Sequence, residues 1–257
     1  FSFTKTVKVK IRLDKNWKFH QKGDDTWNPA SVPGCVHLDL YLNKIIGDPF
    51  YKSNEDSVQW VEGKIWIYEN QFEVTDQILS KDRVILHFLG LDTYAEVSIN
   101  DSLVLNANNM FREWSVDCKE ILQLGKNRIR IKFYSPVKKD SVKASRLRYQ
   151  LPDNRVFTRK APYHYGWDWG PRLVTMGIWR PVVLTAWNQA VIEDLFIHQN
   201  QLTKNKAFLS AQIQIRSTKT QRATISLKNE KNNTVLADSI FLLQPGNNTF
   251  GMDFIIS

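Results

Sequence analysis

Tyr94-Ala-Glu-Val-Ser-Ile-Asn-Asp-Ser-Leu-Val-Leu105 decides the fold class of this chain. Ala95, Val97 and Ile99 alternate with polar residues, so every second side chain shares one face of an extended strand. Asn100 and Asp101 tolerate the left-handed backbone region, and apolar residues resume at Leu103. The pair therefore reads as a hairpin turn. The same alternation recurs on either side, at Val84, Leu86 and Phe88 and at Ile129, Ile131 and Phe133. Leu124-Gly-Lys-Asn127 reads as the turn feeding the latter strand. Helical periodicity is scarce, with short candidates at residues 37–43, after the turn at Pro33-Gly34, and at residues 141–148. Many short strands separated by turns predict an all-β chain, a β-sandwich or jelly roll.

A boundary is expected near residues 187–190. Residues 178–185 read as the closing strand of a first domain, 1–188. Alternation resumes at 191–198, 208–215, 223–227 and 234–237, with fewer aromatics, and marks a second domain, 189–257. That segment is short of the about 100 residues of an immunoglobulin-type sandwich and stops within a strand-like run, so it is expected to be truncated. No repeat or low-complexity linker interrupts the chain.

Composition narrows the function classes. No apolar run approaches the roughly 20 residues needed to cross a bilayer. Phe1 rather than Met opens the chain, which reads as a mature or trimmed form, so a missing leader says nothing about export. Cys35 and Cys118 do not make a disulfide framework and read as buried thiols. Five histidines without C-x-x-C or H-E-x-x-H spacing argue against a metal site. The net charge of +9 raises the question of nucleic acid. The cations are dispersed, however, with Lys5, Lys8 and Lys10 on one strand-like segment and Arg128, Arg130 and Lys132 on another. This reads as a solvated basic surface without a nucleic-acid module.

The tryptophans concentrate before residue 190. Trp17, Trp60, Trp66, Trp114 and Trp179 lie in strand-like segments and read as core. Ala161-Pro-Tyr-His-Tyr-Gly-Trp-Asp-Trp-Gly-Pro171 is different, a loop bounded by Gly and Pro. Two readings are open there. Aromatic faces stack on the C–H faces of a sugar and a carboxylate accepts from its hydroxyls, so Trp167, Asp168 and Trp169 are candidate carbohydrate contacts. Alternatively, Asp168 caps backbone amides in a buried turn and the indoles fill a core.

This loop, with Arg159-Lys160 before it and Gly177-Ile-Trp-Arg-Pro-Val182 after it, resembles the β-mannosidase branch of glycoside hydrolase family 2. Val32-Pro-Gly-Cys-Val-His37, Gly47-Asp-Pro-Phe-Tyr51, Leu89-Gly-Leu-Asp-Thr-Tyr94 and Asn109-Met-Phe111 fit the same branch in the same order, and together the matches span most of residues 12–188. The resemblance implies a galactose-binding-like jelly roll followed by the start of an immunoglobulin-like domain. It also implies that Asp168 accepts from hydroxyls of a terminal mannose, that Trp167 walls the pocket and that Trp169 anchors the loop.

The resemblance further implies exo-acting, retaining hydrolysis of terminal β-D-mannose by the whole enzyme, without a cofactor. Retention needs two carboxylates about 5–5.5 Å apart. In the family both are glutamates on a (β/α)8 barrel of about 250 residues, and no alternating strand–helix pattern of that kind occurs here. No catalytic residue is therefore assigned in this chain, and Glu55, Glu62 and Glu69 read as surface charges. The implied partners are the terminal β-mannoside of an oligosaccharide and the catalytic barrel of the same chain. The implied location is periplasmic or secreted in bacteria and lysosomal in animals. Arg159 and Lys160 are expected to pair with Asp168 or to steady the loop, and His164 to be a satisfied polar residue. Asn100-Asp-Ser, Asn232-Asn-Thr and Asn247-Asn-Thr match the glycosylation acceptor pattern.

Two other classes remain open on sequence. An exo-glucosaminidase, β-galactosidase or β-glucuronidase shares the architecture, although the galactosidase and glucuronidase branches generally lack the W-D-W-G-P loop. A free-standing carbohydrate-binding module is the non-enzymatic alternative. An isolated domain is expected to bind mannose weakly or undetectably, because the loop needs a barrel opposite it to close a pocket.

Overall fold

The computed structural model describes residues 9–229 and 232–256. Lys5 and Lys8 lie outside the described residues. The chain divides into two compact units. The larger comprises Val9–Ser80 and Val84–Thr185, and the smaller comprises Lys81–Arg83 with the chain from Ala186 onward.

The larger unit carries strands β1 (Val9–Arg12), β2 (Lys18–Gln21), β3 (Asn28–Pro29), β4 (Trp66–Val74), β5 (Arg83–Phe88), β6 (Tyr94–Ile99), β7 (Ser102–Asn108), β8 (Trp114–Asp117) and β9 (Gly125–Tyr134). They are followed by β10 (Tyr165–Trp167), β11 (Gly170–Arg172) and β12 (Val182–Trp187). Six strands form a sheet in the order β3-β2-β4-β9-β6-β7, and four form another in the order β1-β12-β5-β8. Short helices α1 (Val36–Leu42), α2 (Asn54–Ser57), α3 (Asp76–Leu79) and α4 (Pro136–Ala144) sit in the connections. The architecture is an all-β sandwich.

Alternation explains which face is buried. Ile131 on β9 pairs with Tyr68 on β4 and with Val97 on β6, and all three are fully buried. Phe19 stacks on Tyr68 at 5.6 Å, and Phe133 meets Tyr68 edge-on at 5.6 Å. Each such side chain contributes roughly 1.5–3 kcal/mol on burial. The opposite face of β9 carries Arg128, Arg130 and Lys132. Each meets an acid on a neighbouring segment: Asp101 at 2.5 Å, Glu69 at 2.8 Å and Glu96 at 3.7 Å. The basic stripe is thus neutralised locally.

The expected hairpin at Asn100-Asp101 is present, both residues having positive φ and Ile99 pairing with Ser102. The helix expected at 37–43 is α1. The helix expected at 141–148 starts earlier, at Pro136. Ser135 accepts from the Lys138 amide at 3.1 Å, and Pro136 occupies the first turn, where its missing N–H is harmless. Both cysteines are free. Cys118 is buried, and burial pushes its thiol up to about 12. Cys35, expected to be buried, is only half-buried.

The smaller unit holds β13 (Ala190–Leu202), β14 (Ala207–Ser217), β15 (Gln221–Lys228), β16 (Val235–Leu243) and β17 (Gly246–Ile256). They form a sheet β13-β14-β17 and a hairpin β15-β16. Ala211, Ile213, Ile215, Ile225, Leu243, Met252 and Phe254 make its core. Ile192, Leu195 and Ile197 lie opposite Ile215, Ile213 and Ala211 in the β13–β14 register. They share the core-facing side, yet remain about half exposed. No helix among the described residues is long and apolar enough to cross a membrane.

Candidate functional site

The W-D-W segment folds as a tight hairpin. Tyr165 pairs with Arg172 and Trp167 with Gly170, so Asp168 and Trp169 form the two-residue tip. Gly166 makes the approach possible. Its φ is +92°, and a Cβ there would lie 3.2 Å from the Arg172 Cβ. The buried-turn reading is not what the fold contains. Trp167 is 49% exposed, Trp169 is 74% exposed, and Asp168 is exposed with no hydrogen bond or ion pair among the described residues.

The two indoles do different things. Trp167 packs under the Arg155 guanidinium, 5.3 Å from its ring centre. Trp169 lines a cleft of about 520 Å³ with Tyr41, Phe50, Tyr163, His37 and His164. Trp167 does not line that cleft.

Both strands of the hairpin are held by side chains far away in sequence. On β10, the Tyr165 hydroxyl donates to Asp140 at 2.9 Å, from α4. On β11, one terminal nitrogen of Arg172 donates to both Glu62 oxygens, at 2.8 and 2.9 Å. Its other terminal nitrogen donates to the Tyr165 carbonyl at 3.2 Å. The Arg172 amide donates to Glu55 at 2.6 Å, and its carbonyl accepts from the Gln59 amide at 2.8 Å. Glu55 and Glu62 are therefore hairpin partners and not free surface charges. Glu69 is not a surface charge either, being buried and paired with Lys18 and Arg130.

Beneath the cleft lies a buried polar cluster. Lys160 pairs with Asp92, not Asp168, and donates to the Thr175 carbonyl at 2.8 Å. Asp92 and Gly177 exchange backbone hydrogen bonds of 2.9 Å. His164 was expected to be satisfied, but its Nδ1 is buried without a partner, 3.7 Å from an Asp92 oxygen. The Nδ1 of His37 is likewise buried and unpartnered. Burial, with the Lys160 charge adding to it, lowers both imidazoles to about 4, so both are neutral at pH 7. Asp39 on α1 accepts from the Ser31 amide and the Tyr68 hydroxyl, both at 2.7 Å, and burial raises it to about 6. Among the described residues, no group of three or more His, Cys, Asp or Glu is placed to hold a metal.

Residues 17–180 match the galactose-binding-like domain of glycosyl hydrolase family 2. The chain is 37% identical over 199 residues to β-mannosidase B of Emericella nidulans, covering 72% of this chain and 23% of that protein. The crystal structure of a β-D-mannosidase from Dictyoglomus thermophilum superposes with a TM-score of 0.87 at 34% identity, over 96% of this chain and 31% of the other. An exo-chitosanase from Amycolatopsis orientalis shares the fold, with a TM-score of 0.71 at 18% identity. The chain spans about a quarter of the length of the curated relatives it matches.

Proposed function

From the premise that the chain belongs to glycosyl hydrolase family 2 and corresponds to the N-terminal part of its β-mannosidases, we propose that it shapes the terminal-sugar subsite of an exo-acting, retaining β-mannosidase. In this reading Asp168 accepts hydrogen bonds from hydroxyls of the terminal β-mannose, and Trp167 and Trp169 supply apolar faces. The catalytic glutamates belong to the barrel portion of the enzyme. The chemistry requires no cofactor, since two carboxylates perform it.

The observation that carries the reading is an exposed carboxylate without a partner, set between two exposed indoles on an anchored hairpin. An ionised acceptor suits a neutral sugar, because each charge-assisted hydrogen bond is worth about 1.5–3 kcal/mol. A site built for a particular hydroxyl rejects sugars that lack it. The smaller unit fits the start of an immunoglobulin-like sandwich, since the core-facing Ile192, Leu195 and Ile197 are uncovered. The same reading places the enzyme outside the cytosol, periplasmic, secreted or lysosomal.

The test is Asp168→Ala in the full-length enzyme with an aryl β-mannoside. Loss of one such bond predicts a fall in kcat/KM of roughly 10- to 100-fold. Unchanged kcat/KM removes Asp168 from the subsite. A parallel panel of β-galactoside, β-glucuronide and β-glucosaminide tests the sugar, and preference for any of these overturns the mannoside assignment.

A further inference from the structure

We infer that Arg172 is the positioning residue of the hairpin, and that Glu55, Gln59 and Glu62 act through it to aim Asp168. The inference rests on the reading of Asp168 given above. The hairpin forms a two-stranded sheet of its own, three residues to a strand. So short a hairpin is marginal alone, and its direction must be set by contacts outside itself. Arg172 supplies them from one place. Its amide, its carbonyl and both terminal guanidinium nitrogens are all engaged. Three of the partners sit on α2 and on the 3-10 turn Gln59–Gly63, more than 100 residues away in sequence.

The same guanidinium also ties the two strands together. It reaches the Tyr165 carbonyl and lies 5.7 Å from the Tyr165 ring. The contact with Gly166 adds a steric limit, because nothing larger than hydrogen fits against the Arg172 Cβ without displacement. Arg172 is thus fixed on one side to the body of the sandwich and on the other to the strand that leads into Trp167 and Asp168. Glu62 is the charged partner, mostly shielded from water, while Arg172 keeps about a third of its side chain exposed. No hydrogen bond or ion pair links either residue to Asp168, so their effect on the sugar passes through the direction of the hairpin that carries Asp168 between its two indoles.

The experiment is a double-mutant cycle in the full-length enzyme: Arg172→Met, Asp168→Ala and the pair, with kcat/KM for an aryl β-mannoside and a thermal melt for each. A displaced binding group costs up to roughly 100-fold. We expect Arg172→Met to lower kcat/KM by that order at an unchanged melting midpoint. In the Asp168→Ala background its effect should shrink, leaving only the part carried by the two indoles, since there is no carboxylate left to aim. Arg172→Lys should recover only part of the loss, because an ammonium cannot serve Glu62 and the Tyr165 carbonyl in the same fixed fork. Multiplicative effects in the cycle, or full activity of Arg172→Met where Asp168→Ala is impaired, overturn the inference. If Asp168→Ala itself is fully active, the subsite reading fails first, a distinct outcome. Should Arg172→Met unfold, Glu62→Gln keeps the guanidinium and removes only its charged partner. A multiplicative cycle with Asp168→Ala overturns the inference there too.

Discussion

Lys160 and Asp92 form an ion pair whose side chains are 0% and 2% exposed. A pair so buried is held by mutual neutralisation, and removing one partner strands the other charge. Lys160→Met should therefore destabilise the chain by about 3–5 kcal/mol. The double variant Lys160→Met/Asp92→Leu should recover much of that loss. Urea denaturation decides it, and a Lys160→Met penalty below about 1 kcal/mol would show that the pair contributes little.

The imidazoles beside that pair set an acid limit. His37 and His164 titrate near 4 in the fold and near the ordinary 6.5 when unfolded. Between those values the unfolded chain binds more protons, so stability falls as pH drops from 6.5 toward 4. Asp39 opposes this. It titrates near 6 when folded and near 3.9 unfolded, so acidification across that window favours the fold. Asp140, also raised by burial, opposes it in the same sense, so the two histidines leave only a shallow net loss. His37→Asn should flatten the profile and Asp39→Asn should steepen it. Melting midpoints that rise from pH 6.5 to 4.5 would refute this account.

Gly177 lies against the same cluster from the backbone side. Its φ is +151°, and a Cβ there would meet the Cys35 Cα at 2.8 Å and the Gly34 carbonyl oxygen at 3.0 Å. Those are backbone atoms and cannot swing aside. Gly177→Ala should cost about 2–4 kcal/mol, from overpacking together with an unfavourable φ. At Gly170 an added Cβ meets nothing within 4 Å. Gly170→Ala should stay within about 0.5 kcal/mol of the parent. Equal penalties at the two positions would rule out the steric explanation.

Short-range pattern carried the strands. Val97, Ile131 and Phe133 alternate with polar neighbours because one side of each strand is buried, and that periodicity is local. What sequence pattern missed was long-range. Glu55, Glu62 and Glu69 look like solvated charges until the fold brings Arg172, Lys18 and Arg130 against them. Lys160 finds Asp92 from 68 positions away. The helix starting at Pro136 did have a local signal, Ser135 followed by proline, and the capping rule would have found it. Trp60 and Trp179 also depart from expectation, at 40% and 37% exposed. The Trp179 indole N–H donates to the Met110 carbonyl at 3.0 Å. In the hairpin the motif was visible at once, but neither exposure nor the division of labour between its indoles can be read from composition.

That division of labour can be measured. Trp66 is 2% exposed, and its indole donates to the Val61 carbonyl at 3.1 Å. Trp66→Ala should cost about 3–5 kcal/mol. Trp169 is 74% exposed, so Trp169→Ala should change stability by no more than about 0.5 kcal/mol. In the full-length enzyme the same substitution should still lower kcat/KM for an aryl β-mannoside, because the cleft wall it provides is gone. Stability and activity would then separate at Trp169. A loss of more than about 1.5 kcal/mol in Trp169→Ala, with the activity loss explained by unfolding, would return Trp169 to the role of loop anchor.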